Sequence, residues 1–341
     1  MPFRDCVGHR PLLAVLARSI TRGSLPPSLL FAGPEGIGKR LVAVAVAQAL
    51  NCPQPRIGGP ADPDARLEVD ACGTCPSCLR IARSVHPDVA IVEPGSSGSI
   101  KVEQIRDMVD RAAFRPFEGK RRVVIVDDAD AMVDQAQNAL LKTLEEPPPA
   151  SVFLLVTARH DALLPTVRSR CPLLRFRPLS PQEVADALLR AGLTESEARA
   201  VAATADGSVG QALQASAGDL VESREVAARA LLQASRSDAV RARLDAAKEL
   251  VAGAGAGASE RDHLSRHLRA MASLLRDIEL LESGGDVGAL ANVDVRAELG
   301  RLAAFGGERG VRAFAAVDEA LVALDRNTSA KAVADWLLLR L

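Results

Sequence analysis

The sequence is poor in aromatic residues: it has no tyrosine, one tryptophan and eight phenylalanines, so aromatics make up 3% of its 341 residues. Proteins that bind single-stranded nucleic acid without sequence preference stack bases on aromatic side chains, and this composition argues against that mode of binding. No charge of one sign predominates either, because 42 Lys and Arg nearly balance 43 Asp and Glu. Any contact with DNA must therefore be local or shared with another protein.

Long apolar runs are also missing. The sequence contains no stretch of eighteen consecutive apolar residues, as a membrane-spanning helix requires, and its first residues do not resemble a secretory signal. We therefore expect a cytoplasmic protein without membrane contacts, whose six cysteines stay reduced and available to metal. An apolar content of 48% is enough for two or three folded domains.

The first half of the chain alternates short apolar runs with helix-like stretches. The runs are bounded by turn or charged residues, as buried strands are, and comprise residues 29–31, 89–92, 123–126, 152–156 and 173–176. Five such strands with helices between them predict a parallel α/β sheet. From Ser180 onward, a Ser-Pro helix start and Ala, Leu, Arg and Glu at helical spacing predict an all-α second half.

A glycine-rich loop, Gly33-Pro-Glu-Gly-Ile-Gly-Lys-Arg40, follows the first predicted strand and precedes a helix-like stretch. The form G-x-x-x-x-G-K-[ST] wraps phosphates with backbone N–H groups, directs its Lys to the β- and γ-phosphates and holds Mg²⁺ with its hydroxyl. Gly33, Gly36, Gly38 and Lys39 fit this pattern, but Arg40 replaces the hydroxyl. The pattern leaves open two alternatives: a loop that binds ATP or ADP with a defective Mg²⁺ position, and a strand-to-helix turn that binds no nucleotide.

Two acids, Asp127 and Asp128, follow the third predicted strand. In ATPases with such a loop the first acid supports Mg²⁺ and the second, usually Glu, orients the attacking water. Asp128 is one methylene shorter than Glu. Because phosphoryl transfer depends on positioning, the shorter side chain argues against turnover.

Four of the cysteines are concentrated in one part of the sequence. Three form a C-x₂-C-x₂-C pattern, and a fourth lies upstream beyond a segment rich in Pro and Gly: Cys72, Cys75, Cys78 and Cys52. Four thiolates suffice for a tetrahedral zinc site and leave no open coordination position, so the Zn²⁺ is predicted to be structural. Such a metal would order the polar segment 53–71. The alternative is a set of free thiols, and Cys6 and Cys171 lie outside the predicted site.

Four segments between residues 100 and 171 resemble the bacterial DNA polymerase III clamp-loader family of AAA+ proteins. They are Ile100-Lys-Val-Glu-Gln-Ile-Arg106, Val126-Asp-Asp-Ala-Asp130, Asn138-Ala-Leu-Leu-Lys-Thr-Leu-Glu-Glu-Pro-Pro148 and Ser169-Arg-Cys171. The resemblance covers roughly residues 6–213. It implies a RecA-like AAA+ domain in residues 1–177 with a zinc module at about 52–78, a small helical lid in 178–218 and a helical collar in 219–341.

The resemblance also implies a mechanism. Members of the family form a pentamer that binds ATP at subunit interfaces, opens a sliding clamp and loads it onto primed DNA. The partners implied here are gamma/tau and delta clamp-loader subunits in a hetero-pentamer, with the sliding clamp and primed DNA reached through the assembled complex. By the same match, Arg170 is an arginine finger that acts in trans on a neighbour's ATP site, and Thr157 occupies the sensor position.

Three positions depart from the active members of the family. Arg40 and Asp128 are two, and Gly210 stands where the lid of active subunits carries an arginine. They imply an accessory subunit of a DNA-directed DNA polymerase holoenzyme that hydrolyses no ATP itself and offers Arg170 to an adjacent ATPase as a rigid stator. Two alternatives are left open: an active ATPase of the gamma/tau type, and a zinc-containing AAA+ adaptor outside replication.

Overall fold

The structure is a computed structural model, and it describes residues 1–58, 67–95, 98–205, 207–214, 217–237, 239–253, 258–285, 290, 292, 299–325 and 328–341. The chain divides into two compact units, Met1–Leu179 and Ser180–Leu341. This division lies close to the predicted end of the α/β domain at residue 177. The separation of a lid from a collar between residues 218 and 219 stays a prediction.

The first unit contains seven strands: β1 (Ser28–Ala32), β2 (Arg56–Ile57), β3 (Val69–Asp70), β4 (Val89–Val92), β5 (Arg122–Val126), β6 (Ser151–Thr157) and β7 (Leu173–Arg175). Five of them form a parallel sheet in the order β4-β5-β6-β1-β7, and β2 and β3 form a separate antiparallel pair. Leu30 lies opposite Leu155 on one side and Leu173 on the other. The five predicted strands and their parallel arrangement are confirmed.

Helices cover both faces of this sheet. They are α1 (Arg10–Thr21), α2 (Lys39–Asn51), α3 (Pro76–Ala82), α4 (Val102–Ala112), α5 (Asp134–Glu145) and α6 (Pro165–Arg168). Successive residues of a strand point to opposite faces, so Phe31 belongs to the core that includes Val42 of α2, whereas Leu30 belongs to the core that includes Leu140 of α5. Burial on both faces explains why the strands read as continuous apolar runs.

All the regular secondary structure in the described part of the second unit is helical. Its helices are α7 (Pro181–Arg190), α8 (Glu195–Thr204), α9 (Val209–Gln214), α10 (Ala217–Arg236), α11 (Val240–Val251), α12 (Ala258–Glu282), α13 (Glu308–Asp325) and α14 (Ala330–Arg340). The first of them begins with the predicted signal, a capping box in which Ser180 and Glu183 exchange hydrogen bonds. The predicted all-α second half is confirmed. None of the helices in the described ranges combines the length and the apolar character that crossing a lipid bilayer requires.

Candidate functional site

The glycine loop leaves β1 at the carboxyl edge of the sheet and enters α2 at Lys39. Gly36 and Gly38 have φ angles of 69° and 97°, which side chains other than glycine adopt only under strain. A Cβ atom on Gly33 would lie 2.3 Å from the carbonyl oxygen of Phe176, so only glycine fits between the loop and the chain beyond β7. The path of the backbone itself therefore requires all three glycines.

Lys39 is directed into its own loop. Its ammonium donates to the carbonyl oxygens of Gly33 at 2.7 Å and Pro34 at 2.5 Å, and only 7% of the residue is exposed. Burial lowers the pKa of Lys39. No side chain caps the N-terminus of α2, so the N–H groups of its first turn fit phosphate oxygens. A bound phosphate would compete with the two carbonyls for the ammonium.

Arg40 connects the ends of two neighbouring strands. Its Nη1 lies 3.2 Å from Oδ2 of Asp127, which follows β5, and its Nη2 pairs with the carboxylate of Glu93, which follows β4. Burial and the adjacent charge of Asp128 raise the pKa of Asp127, and the Arg40 guanidinium opposes that rise. The residues present do not fit Mg²⁺, because the carboxylate that would support the ion is already paired with a cation of the chain itself.

The remaining predicted groups at this edge differ in what surrounds them. Asp128 is exposed and has a φ angle of 48°. Thr157, at the end of β6, is fully buried and donates its hydroxyl to Oδ1 of Asp130 at 2.7 Å, while Nε of Arg159 lies 3.0 Å from Oδ2 of the same carboxylate. Although burial raises it, these two donors lower the pKa of Asp130. Sequence reasoning missed Asp130 as a site residue, although it ends the quoted Val126-Asp-Asp-Ala-Asp130 segment.

Arg170 lies at the opposite edge of the sheet. The hydroxyl of Ser28, the first residue of β1, donates to the Arg170 carbonyl at 3.0 Å. From there to Gly33 the strand spans about 16 Å, so the structure separates Arg170 from the glycine loop. Its guanidinium donates from Nε to Oε1 of Glu145 at 2.9 Å and from Nη1 to the Thr166 carbonyl at 2.8 Å. The contact with Glu145 could not be predicted from the sequence pattern, since it depends on the end of α5 lying beside the chain before β7.

The four clustered cysteines come together as the spacing predicts. Their sulfur atoms all lie within 4.8 Å of one another, and those of Cys72 and Cys78 are 3.9 Å apart. A tetrahedral Zn²⁺ with sulfur ligands at about 2.3 Å requires sulfur separations of about 3.8 Å, so the cluster fits zinc. The N–H groups of Cys72, Cys75 and Cys78 donate to Sγ of Cys52, Cys72 and Cys75 in turn at 3.3–3.4 Å. Although burial raises it, N–H donors such as that of Cys75 lower the pKa of Cys72, whereas burial raises the pKa of Cys52 and of Cys78.

Several elements position this cluster. Cys52 follows α2, Cys75 caps the N-terminus of α3, and Cys78 lies in that helix. Gln48 of α2 donates its side-chain amide to the Cys78 carbonyl at 2.7 Å, and Arg4 donates to the carbonyl of Cys72 at 2.9 Å. The hydrogen bond from Gln48 thereby connects the cluster to α2. Cys6 and Cys171 are buried elsewhere as free thiols.

Comparison of the sequence with known proteins gives matches among DNA polymerase III subunits. A family profile described as DNA polymerase III, delta subunit, matches residues 8–180. The DNA polymerase III subunit delta′ of Pseudomonas aeruginosa is 41% identical over 143 residues, 42% of this chain and 40% of that protein. Subunit delta′ of Bacillus subtilis is 33% identical over 214 residues, 62% of this chain and 61% of that protein. Subunit gamma/tau of Mycobacterium tuberculosis is 35% identical over 188 residues, 55% of this chain and 31% of that protein.

The aligned parts thus cover between 31% and 61% of the length of these relatives. The family profile itself extends over half of this chain and includes the glycine loop, the four clustered cysteines and Arg170. The chain therefore belongs to the DNA polymerase III delta-subunit family of clamp-loader proteins, and the resemblance drawn from its motifs is confirmed.

Proposed function

We propose that this chain is a delta-prime type subunit of the DNA polymerase III clamp loader, which hydrolyses no ATP itself and supplies Arg170 to the ATP site of a neighbouring subunit. The pairing of Arg40 with Asp127 and Glu93 carries the proposal. The similarity to two delta′ subunits supports it. Its partners are then gamma/tau and delta subunits in a cytoplasmic hetero-pentamer, which acts on the sliding clamp and on primed DNA.

The absence of turnover follows from the positive charge of Arg40. Phosphoryl transfer needs Mg²⁺ to bridge the β- and γ-phosphates and to neutralise the charge that develops. Mg²⁺ binds through carboxylate or hydroxyl oxygens together with phosphate oxygens, and a guanidinium beside Asp127 both occupies that carboxylate and repels a second cation. Asp128 and Gly210 supply neither the longer acid nor the lid arginine of an active subunit.

Arg170 is suited to act on another chain. It lies at the sheet edge opposite its own glycine loop, so it does not serve its own nucleotide site. Glu145 and the Thr166 carbonyl hold its guanidinium at the surface, where 32% of the side chain is exposed. A planar, permanently charged group in a fixed orientation matches the charge of a transferring phosphoryl group.

The two predicted ligands of this chain, Zn²⁺ and a nucleotide, would contribute to its stability and to binding. Zn²⁺ would be held by Cys52, Cys72, Cys75 and Cys78, and it would supply a cross-link between α2 and the segment before α3. ATP or ADP, where bound, would be held by the N–H groups of the glycine loop and by Lys39. Neither ligand gives this chain a reaction of its own.

The test is DNA- and clamp-stimulated ATP turnover by the reconstituted loader. We expect Arg170→Ala to lower turnover by about 10³-fold, in the range measured for arginine fingers, and Lys39→Ala to leave it nearly unchanged. Arg168→Ala is the matched control, because Arg168 lies two residues away and pairs with Asp161 at the same surface.

The other outcomes select the alternatives. A large loss with Lys39→Ala would show that the chain hydrolyses ATP, as an active gamma/tau-type subunit does. Failure of the wild-type chain to assemble with clamp-loader subunits would favour a zinc-containing AAA+ adaptor outside replication. The similarity to gamma/tau and the retained Lys39 are the observations behind the first of these.

A further inference from the structure

Arg4 connects a short turn ahead of α1 to the cysteine cluster. It belongs to a single 3₁₀ turn, Phe3–Asp5. Its Nη1 donates to the carbonyl oxygen of Ala71 at 2.8 Å, and its Nη2 donates to that of Cys72 at 2.9 Å. These two carbonyls are consecutive in the chain, so the planar fork of one guanidinium holds two successive peptide groups. Because hydrogen bonds from a charged donor are stronger than those between neutral groups, the direction of both peptide groups is firmly set.

The N–H groups of the same two peptide groups face cysteine sulfur atoms. A trans peptide group is planar, and its N–H and its C=O point to opposite sides. In the first group, the N–H of Cys72 donates to Sγ of Cys52 at 3.4 Å. In the second group, the N–H of Gly73 is hydrogen-bonded to the side chain of Cys78. Each peptide group therefore has its oxygen on the guanidinium of Arg4 and its N–H on a sulfur of the cluster.

Arg4 is itself held in place from two directions. Its Nη1 lies 2.9 Å from Oδ2 of Asp70, a buried carboxylate at the end of β3. The N–H of Phe3 donates to Oδ1 of the same carboxylate at 2.7 Å, and the side chain of Phe3 is fully buried, so core packing anchors the turn. At Gly73 φ is 79°, and a Cβ atom there would lie 3.3 Å from Nη2 of Arg4. Glycine therefore leaves room for the guanidinium beside the cluster.

We propose that Arg4 is a positioning residue for the metal of the cysteine cluster and sets its affinity for Zn²⁺ through the two peptide groups that it holds. The inference rests on the zinc site proposed above. Four thiolates leave a loaded site with an excess of negative charge. N–H groups directed at the sulfur atoms, and a cation behind two of those N–H groups, both stabilise that charge. Residues that orient the ligands of a metal in this way typically change its affinity by about 10- to 100-fold.

The first measurement is the zinc affinity of the full-length chain, determined by competition with a chromogenic chelator. We expect Arg4→Gln to bind Zn²⁺ about tenfold more weakly than wild type, because the two peptide groups lose the donor that orients them. Arg18→Gln is the matched control. Arg18 also pairs with an acid beside β3, Glu68 at 3.1 Å, but it lies in α1 and outside the turn that holds the cysteine segment, so its variant should bind zinc as wild type does.

The second measurement, amide hydrogen exchange by NMR in the zinc-loaded proteins, separates positioning from a general loosening of the cluster. The N–H groups of Cys72 and Gly73 belong to the peptide groups that Arg4 holds. Those of Cys75 and Cys78 also donate to sulfur atoms but belong to other peptide groups. We expect Arg4→Gln to speed exchange about tenfold at the first two positions and to leave the other two unchanged.

A second variant, Arg4→Lys, guards against failure of Arg4→Gln to fold. Lysine keeps the charge that pairs with Asp70 but lacks the planar fork that spans two carbonyls, so it should fold and show the same pattern of exchange. Unchanged zinc affinity in the Arg4 variants, an equal loss in Arg18→Gln, or faster exchange at all the N–H groups alike overturns the proposal. A wild-type chain that binds no zinc overturns the zinc site as well, whereas a loaded wild type with unaffected Arg4 variants overturns this inference alone.

Discussion

The carboxyl edge of the sheet and the cysteine cluster both collect groups that bind cations in other proteins, yet they are neutralised differently. At the sheet edge Arg40 pairs with Asp127 and Glu93, so a side chain of the protein supplies the positive charge. In the cluster four sulfur atoms lie within 4.8 Å of one another and could hold a metal ion, which would neutralise their charge as thiolates. At the loop, an arginine in place of the hydroxyl forms ion pairs within the chain itself, whereas at the cluster a complete set of four sulfur donors could hold a metal ion.

Removing one sulfur from the cluster should have the largest effect. We expect Cys78→Ser to reduce bound zinc from about one ion per chain to nearly none and to lower the temperature of unfolding, because structural zinc contributes on the order of 10 kcal/mol in small modules. Metal analysis and calorimetry measure both. Cys171→Ser is the control for zinc content, since Cys171 lies outside the cluster. Full zinc content in Cys78→Ser would contradict the assignment.

The carboxylate of Asp88, at the amino-terminal end of the sheet, adds a third charged group to the comparison, and its contribution to stability can be tested by changing the pH. Asp88 accepts hydrogen bonds from the N–H groups of Phe117 at 2.6 Å, Glu118 at 2.9 Å and Gly119 at 2.7 Å, and from Arg122 at 3.1 Å. Although burial raises it, these donors lower the pKa of Asp88. Its ionised form therefore stabilises the fold above the ordinary carboxyl pKa of about 4, and this contribution is lost as the pH falls through the lower folded-state pKa.

We expect Asp88→Asn to lower the free energy of unfolding by about 2 kcal/mol at pH 7, because the three N–H donors and Arg122 lose a charged acceptor. The difference from wild type should shrink below pH 4. Denaturant unfolding of both proteins between pH 3 and pH 7 measures it. Asp107→Asn, at an exposed position, should stay within about 0.5 kcal/mol of wild type at all these pH values. A difference for Asp88→Asn that does not vary with pH would contradict the assigned role of its charge.

Replacing Arg40 tests whether its charge excludes Mg²⁺. We expect nucleotide binding by the wild-type chain to be independent of Mg²⁺, whereas Arg40→Thr should bind ADP about tenfold more tightly when Mg²⁺ is added, because Asp127 is then free for the ion. Titration with a fluorescent ADP analogue, with and without Mg²⁺, measures the difference. Arg159→Thr is the control at the same edge, since it removes an arginine that pairs with Asp130. Equal Mg²⁺ dependence in wild type and Arg40→Thr would contradict the role given to Arg40.

The contact between Glu145 and Arg170 should give the smallest effect. If Arg170 acts as proposed, we expect Glu145→Gln to lower ATP turnover by the reconstituted loader about two- to fivefold, because an exposed ion pair contributes up to about 1 kcal/mol to the placement of the Arg170 guanidinium. Glu146→Gln removes the same charge from the next exposed position and should leave turnover unchanged. Equal effects of the two substitutions would show that Glu145 acts only through its general charge.

The sequence predicted best what depends on local pattern. Strands buried on both faces form apolar runs in the sequence, so the sheet was predicted. The cysteine spacing places three potential metal ligands close together in the chain, so the cluster was predicted as well. The ion-pair partners of Arg40 and Arg170 were not predicted. The pair with Glu93 arises because β4 and β5 are neighbours in the sheet, and the pair with Glu145 arises because α5 ends beside the chain before β7. Such contacts depend on strand order, which local pattern does not encode. The two-residue strands β2 and β3 were missed because so short a segment has no measurable period.

Strand β1 connects the glycine loop to the segment that carries Arg170. It is hydrogen-bonded along both sides, to β6 and to β7, and each of its ends is fastened: Gly33 donates to the Thr157 carbonyl at 3.3 Å, and Ser28 donates to the Arg170 carbonyl at 3.0 Å. An extended strand that is hydrogen-bonded along both sides has almost no freedom to shorten, so we expect β1 to move as a rigid unit. The glycine loop and the Arg170 backbone lie at its two ends. A displacement of the glycine loop would therefore be transmitted along β1 toward Arg170, the residue that our proposal assigns to a neighbouring subunit.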